Sequence, residues 1–264
     1  RCRPGGQCRT RCPGWVRRGR RPLDEQRQPE MAEVSHRADI KLATATLEAL
    51  ERAVLAGADD GLRPHLGASQ IGKPCSRALW YSFRWSKLAA FEARMLRLFA
   101  RGQREEDTLT ALLSAIDGVR VVQIDPRTGQ QYGFKAGHFG GSMDGAIVGV
   151  PDAPKTWHVL EFKTFNAKSF NALVKAGVKE AKPEHFAQMQ CYMHWTGMER
   201  ALYCAVCKDD DRLHLERVDY DRAAAESLFA KAQRIIDAAE PPAAYPISQT
   251  GTNASSATTT RYAT

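Results

Sequence analysis

The stretch GGSMDGAIVGVPDAPKTWHVLEFKTF, residues 140–165, holds two apolar runs with a carboxylate at the edge of each. In an extended strand successive side chains alternate faces. In HVLEFK, Glu161 and Lys163 therefore project to one side, and Leu160 and Phe162 to the other. Sheet cores exclude charge, so a carboxylate and an ammonium two residues apart in an apolar strand need an explanation. Asp144 closes the other apolar-flanked strand, seventeen residues before Glu161, at a turn rich in glycine (Gly140, Gly141, Gly145). Brought together, the two strand ends would set two carboxylates close enough to bind a hard cation. Alone, their repulsion would raise a pKa; Mg²⁺ would remove that conflict.

Working outward, VRVVQID (119–125), QYGFK (131–135) and HFGGSMDGAIVGV (138–150) read as successive strands before TWHVLEFKTF. ALYCAVC (201–207) and RLHLERV (212–218) read as two further strands beyond it. Helical periodicity flanks them. Residues 38–57 read as an amphipathic helix closed by Gly57, and Pro74 opens a second one rich in aromatic and basic residues. A longer helix runs from about Phe91 to Asp117 on a stripe of Leu96, Phe99, Leu109, Leu113 and Ile116. Further helices are expected over 167–176, 183–197 (opened by Pro183) and 220–239. This order predicts an α/β domain over 31–240 with a central mixed β-sheet flanked by helices.

The long helix supplies a third acid. Glu106 lies seven residues from both Phe99 and Leu113, near the middle of the apolar stripe, whereas Glu105 falls toward its border and Asp107 well off it. A carboxylate aimed at a core is costly unless it meets a cation or a donor, which favours Glu106 as a metal ligand. Each residue also has an ordinary reading. Glu161 and Lys163 could be a salt-bridged pair, Asp144 an Asp-Gly turn and Glu106 a surface acid. Their agreement in order, element type and environment carries the site.

Charge and cysteine content constrain partners less than the totals suggest. Residues 1–30 hold nine arginines against three acids, so +6 of the net +8 sits in that segment and only +2 in the rest. With no hydrophobic periodicity and no methionine before Met31, residues 1–30 are expected to be a disordered leader. The Ser/Thr-rich stretch over 241–264 is expected to be a disordered tail. No apolar run approaches the roughly 18 to 20 residues that span a bilayer. Cys75, Cys191, Cys204 and Cys207 sit in apolar segments with no secretory signal, which points to a reduced, cytoplasmic compartment. Cys204 and Cys207 form a CxxC inside a strand, where they face opposite ways and cannot share a metal.

RGQREED, GGSMDG, VLEFKTF and HFAQMQCYMHWTG, in that order and spacing, resemble the motif set of lambda-type phage exonucleases and the wider RecB-like PD-(D/E)XK nucleases. The resemblance spans roughly residues 66–238. It implies a restriction-endonuclease-like core in which Asp144, Glu161, the Phe162 carbonyl and Glu106 hold Mg²⁺, with Mn²⁺ able to substitute. It gives Lys163 the role of orienting water or stabilising phosphate charge, and Gln188 that of positioning the water or the lysine, with Gln190 and Tyr192 as its neighbours. The segment from Ser69 through Cys75, Ser76 and Arg77 to Trp80 and Tyr81 is similar to a RecB-like signature. There Arg77 would bind a DNA phosphate, with Lys73, Arg84 and Tyr192 as further DNA contacts. Some relatives hold an iron–sulfur cluster through the cysteine at this position and three C-terminal ones. No cysteine follows Cys207, so no cluster is expected here.

The function implied is a metal-dependent DNA exonuclease of phage-type recombination or repair, in the cytoplasm of a bacterial or phage-infected cell. A single-strand annealing or recombination protein is the expected partner, and ring-shaped assembly in the resembling exonucleases makes a homo-oligomer an expectation. Two alternatives stay open: a restriction- or repair-type endonuclease on the same fold, and a non-catalytic DNA-binding module with a decayed nuclease core.

Overall fold

The structure, a computed structural model, describes residues 42–58, 64–84 and 91–243. The leader over 1–30, the first residues of the 38–57 helix, Trp85 and the tail beyond 243 lie outside the described residues. The chain enters α1 (Thr44–Ala56), passes β1 (Leu66–Gly67) and α2 (Ala68–Ile71), and continues through α3 (Ser76–Phe83) and α4 (Ala93–Ser114). Strands follow: β2 (Arg120–Val122), β3 (Ile124–Asp125), β4 (Gln130–Gln131), β5 (Gly133–Ala136), β6 (Phe139–Ser142), β7 (Gly145–Val148) and β8 (His158–Phe165). Then come α5 (Ala167–Ala181), α6 (Pro183–Thr196), β9 (Arg200–Cys207), β10 (Leu213–Asp219) and α7 (Arg222–Asp237).

Local chemistry sets several of these boundaries. Asn166 and Asp221 cap α5 and α7 by accepting from Ser169 N at 2.9 Å and Ala224 N at 3.0 Å. α6 starts on Pro183 and stops at Gly197, whose φ of 72° is the left-handed helix stop. The helix expected over 167–176 runs on to Ala181, because Gly177 (φ 74°) kinks it and the Glu216 carboxylate caps the Val178 N–H after the kink at 2.9 Å. The second helix begins at Ser76 rather than at Pro74, with the Cys75 thiol as its cap.

The central sheet has the order β10-β9-β8-β7-β2 and is mixed: β8 and β9 run parallel, and the other pairs antiparallel. It is not the only sheet. β1, β6 and β5 form a second one, and β3–β4 a two-stranded ribbon. HFGGSMDGAIVGV, expected as one strand, breaks at Met143–Asp144 and serves two sheets. The break depends on close approach: a Cβ on Gly141 would meet the Tyr192 hydroxyl at 2.9 Å and the Ala68 Cβ at 3.1 Å.

Alternation along β8 and β9 divides the core. Val159, Phe165, Ala201, Tyr203 and Cys207 face one side, against Phe170, Leu173, Met189 and Met193 of α5 and α6. Leu160, Phe162, Leu202, Cys204 and Val206 face the other, against Leu109 and Leu113 of α4. Cys204 and Cys207 are thus on opposite faces. The α4 stripe is only partly used: Leu109 and Leu113 are buried, whereas Phe99 is 45% and Ile116 41% exposed. The N-terminal half of α4 lies instead beside α1, where Arg97 approaches Glu51 at 3.6 Å.

Candidate active site

β8 is the middle strand of the central sheet, and Glu161 on it is 0% exposed. Asp144, at the crossing from β6 to β7, reaches the same point: its Oδ2 accepts from the Phe162 N–H at 2.9 Å. That bond ties the two carboxylate-bearing strand ends together through the backbone between Glu161 and Lys163. Gln123 secures the turn by donating to the Asp144 carbonyl at 3.3 Å. The Lys163 ammonium donates to Glu161 Oε1 and, at 3.0 Å, to the Phe162 carbonyl. Glu161 Oε2 is buried with no hydrogen-bond partner.

Glu106 enters from α4, half-buried and within electrostatic reach of Asp144 and Lys163. It lines a cleft of about 330 Å³ with Phe99, Gly102, Phe162, Lys163 and Thr164. Glu105 turns to Arg101 at 3.9 Å. The acids strain one another's ionisation. Burial, then the Asp144 charge, lifts Glu161 to about 8 against the pull of Lys163. The same two causes lift Glu106 to about 7. Burial by itself would lower Lys163, but Glu161, Asp144 and Glu106 outweigh it and hold the ammonium above its ordinary value.

α6 braces this cluster on the sheet face that Glu161 and Lys163 share. Gln188 is buried and donates to the Tyr192 hydroxyl at 3.4 Å, and Tyr192 donates to the Ser142 carbonyl at 2.6 Å, in the turn that carries Asp144. Tyr192 is 1% exposed, so it does not reach DNA as expected; it props the Ser-Met-Asp-Gly turn. Gln190 points away, joining the Asp219 carbonyl at 3.0 Å and the Asp221 N–H at 2.7 Å.

The expected DNA contacts on α3 diverge. Arg84 is drawn off to the end of α7, where Nη2 donates to the carbonyls of Ile236 at 3.0 Å and Ala238 at 2.9 Å while its guanidinium stacks on Trp80. It caps a helix C-terminus, whose carbonyls lack partners of their own. Trp80 donates to the same Ala238 carbonyl at 2.8 Å, which makes it a packing residue. Arg77 is half-buried over the Tyr81 ring, 5.9 Å from its centroid, and Lys73 is exposed. Cys75 accepts from Ala78 N at 3.4 Å as the α3 cap.

Whether these residues fit a divalent ion can be judged from their own chemistry. Among the described residues no three acidic, histidine or cysteine side chains converge as a ready-made metal centre. The reason is visible at Lys163, whose ammonium lies on the Glu161 carboxylate and the Phe162 carbonyl, two of the oxygens expected to bind metal. The donors are hard oxygens, one of them orphaned at Glu161 Oε2, and burial and then the Asp144 charge hold protons on Glu161 and Glu106 into the neutral range. As a donor set these oxygens fit a hard divalent cation.

The model of the YqaJ-like viral recombinase domain matches residues 67–199. The chain belongs to this family. YqaJ-like domains fall among the PD-(D/E)XK nucleases, and the match runs from β1 to the end of α6, so Glu106, Asp144, Glu161, Lys163 and Gln188 lie within it. Solved structures similar to this YqaJ-family chain include an alkaline exonuclease, LHK-Exo, from Laribacter hongkongensis. It shows 21% identity over 72% of this chain and 90% of that one, with a TM-score of 0.47. A phage-related exonuclease from Haemophilus somnus 129PT shows 12% identity over 65% of this chain and 91% of that one, at 0.46. No curated protein matches the chain.

The motif reading did not single out Tyr203, His185 or Gln123. Tyr203 stands beside Glu161 in the parallel register, which needs the β8–β9 pairing to be known. Gln123 likewise depends on the β2–β7 pairing. His185 had one sequence signal, its place three residues before Gln188 on the same helix.

Proposed function

We propose that this YqaJ-family chain is a Mg²⁺-dependent deoxyribonuclease that degrades DNA from ends during phage-type recombination, with Mn²⁺ able to substitute. One observation carries the reading: Asp144, Glu161, Lys163 and Glu106, from three separate elements, lie within electrostatic reach of one another, and Glu161 Oε2 among them is buried with no hydrogen-bond partner. Residues serving only the fold would not leave such charges buried and mutually repelled. The end-directed mode follows the family. DNA is the substrate, an annealing or recombination protein the partner, and the cytoplasm the setting. Among the described residues no helix is long and apolar enough to cross a membrane.

In this reading Asp144, held by the Phe162 N–H, would hold the ion together with Glu161, the Phe162 carbonyl and Glu106. When bound, the ion polarises the scissile phosphate and lowers the pKa of the attacking water. Lys163 would offer its N–H donors to that water and to the charge growing on phosphate. Gln188 and Tyr192 keep the Asp144 turn fixed through Ser142. Hydrolysis breaks one P–O bond as water oxygen forms another.

The test is digestion of end-labelled linear duplex, linear single strand and covalently closed circle, with Mg²⁺ or EDTA, wild type beside Asp144→Ala. Mg²⁺-dependent loss of linear DNA alone, absent in the variant, is expected. Cutting of the circle would move the reading to an endonuclease. DNA binding with no cleavage would replace it with a non-catalytic module.

A further inference from the structure

β8 continues one step past Lys163 to Phe165, on the same face of the sheet, and a second polar group gathers there. The Lys182 ammonium lies 4.7 Å from the Phe165 ring centroid, and the His185 ring 5.8 Å from it. Lys182 donates to the Ser169 hydroxyl oxygen, so the serine's own hydrogen is left for another acceptor. His185 Nδ1 meets the Tyr203 hydroxyl at 2.7 Å. Tyr203 is fully buried, and its single O–H finds its acceptor in that nitrogen. The tautomer this assigns leaves the hydrogen on Nε2, a donor.

Among the described residues no carboxylate is paired with Lys182, Ser169 or His185. Burial alone acts on Lys182, lowering it, with no carboxylate contributing. Burial, Lys163 and Lys182 together push His185 down to about 3, so the imidazole stays neutral between two cations. Packing on Phe165 accounts for where the lysine stem lies, but not for the Lys182 ammonium, an imidazole N–H and a hydroxyl collected with no carboxylate paired to them. Such a set is costly until an anion is received. Its place selects the anion: Phe165, under Lys182, follows Lys163 on the same face of β8, so the group lies beside the lysine that faces the phosphate being cut.

We propose that Lys182, Ser169 and His185 form a subsite for the backbone phosphate adjacent to the one being cut, holding the DNA strand in register on Lys163. The subsite rests on the nuclease reading above and supplies it with a positioning contact outside the metal-binding residues.

The test uses the full chain with Lys182→Met, which keeps the stem on Phe165 and removes the charge, and Lys182→Arg, which keeps the charge. Binding of a labelled oligonucleotide is followed by anisotropy in EDTA at several salt concentrations. Lys182→Met is expected to weaken binding about tenfold and to flatten the log–log salt slope by about 0.7–0.9, one phosphate's worth; Lys182→Arg should restore most of both. A neutral methylphosphonate, placed in turn on each side of the scissile phosphate, should cost the wild type a similar factor at one position and cost Lys182→Met nothing further there. If the wild type cuts DNA while Lys182→Met binds with unchanged affinity and slope, or pays the same methylphosphonate penalty as wild type at both positions, the subsite is wrong and the nuclease reading stands. A wild type that neither binds nor cuts DNA overturns both.

Discussion

His158 and Glu161 lie three residues apart on β8, on opposite faces, and each is 0% exposed with one polar atom lacking a partner. They meet the cost of burial differently. Burial lowers the His158 pKa, the Thr156 carbonyl engages Nδ1 at 2.9 Å, and the ring stays neutral. An unpaired imidazole nitrogen costs on the order of 1–3 kcal/mol, which a core absorbs. Glu161 is set among Asp144 and Glu106, so its ionisation is opposed by the surroundings and answered by Lys163 alone. The same strand thus solves a desolvation problem at one end and keeps one open at the other. An open problem of that kind marks a place where a ligand completes the structure.

The sharpest way to break this comparison is to exchange consequences. Asp144→Ala, Glu161→Ala and Lys163→Ala are each expected to cut DNA hydrolysis by at least about 10²–10³-fold, while His158→Asn stays within a few-fold of wild type in the same digestion assay. Equal losses at both ends of β8 would remove the distinction.

The next effect is on stability. A carboxyl whose folded pKa is raised binds its proton more tightly in the folded state. Its contribution is therefore fully present below the unfolded pKa of about 4.5 and is lost as pH rises through about 8 at Glu161 and about 7 at Glu106. In EDTA, Glu161→Gln should be more stable than wild type at pH 8.5, by up to a few kcal/mol, and should lose that advantage near pH 4. Mg²⁺ should close the gap at pH 8.5 by stabilising the wild type. Chemical denaturation across pH measures all three.

Histidines shift stability the other way and by less. His158 and His185 have lowered folded pKa values, so the unfolded chain takes up protons first and stability falls as pH drops below about 6.5. The slope for one such group is at most about 1.4 kcal/mol per pH unit, and His158→Asn should make the acid limb shallower. An unchanged limb would show that His158 is not held neutral. The smallest effect belongs to Tyr192→Phe, which removes the hydroxyl propping Ser142. About 1 kcal/mol of stability and a modest fall in kcat are expected, with DNA affinity unchanged. A large loss of affinity would return Tyr192 to the DNA surface.

Much of the site was legible because its signals are local. A period of two places Glu161 and Lys163 on one face whatever surrounds the strand, and CxxC in a strand separates Cys204 from Cys207 for the same reason. Glycines around Asp144 announced a turn. What was misread depended on partners far away in sequence. Arg84 looks like a phosphate contact until α7 brings carbonyls 152 and 154 residues distant to it. Tyr192 looks reachable until β6 crosses over its hydroxyl. The α4 stripe continues to Phe99, but only Leu109 and Leu113 find the sheet beneath them.

By itself the sequence determined the alternation of elements, the faces of β8 and the residue types able to bind a hard cation, since these follow from backbone periodicity and side-chain chemistry. Tertiary structure alone decided that Asp144 would bond to the Phe162 N–H, that Glu106 would face Asp144 and Lys163, and that Tyr203 would stand beside Glu161 with His185 behind it. Those outcomes depend on strand order, register and helix docking. These are settled by burying two apolar faces at once, a condition imposed by the whole chain and visible in no single segment.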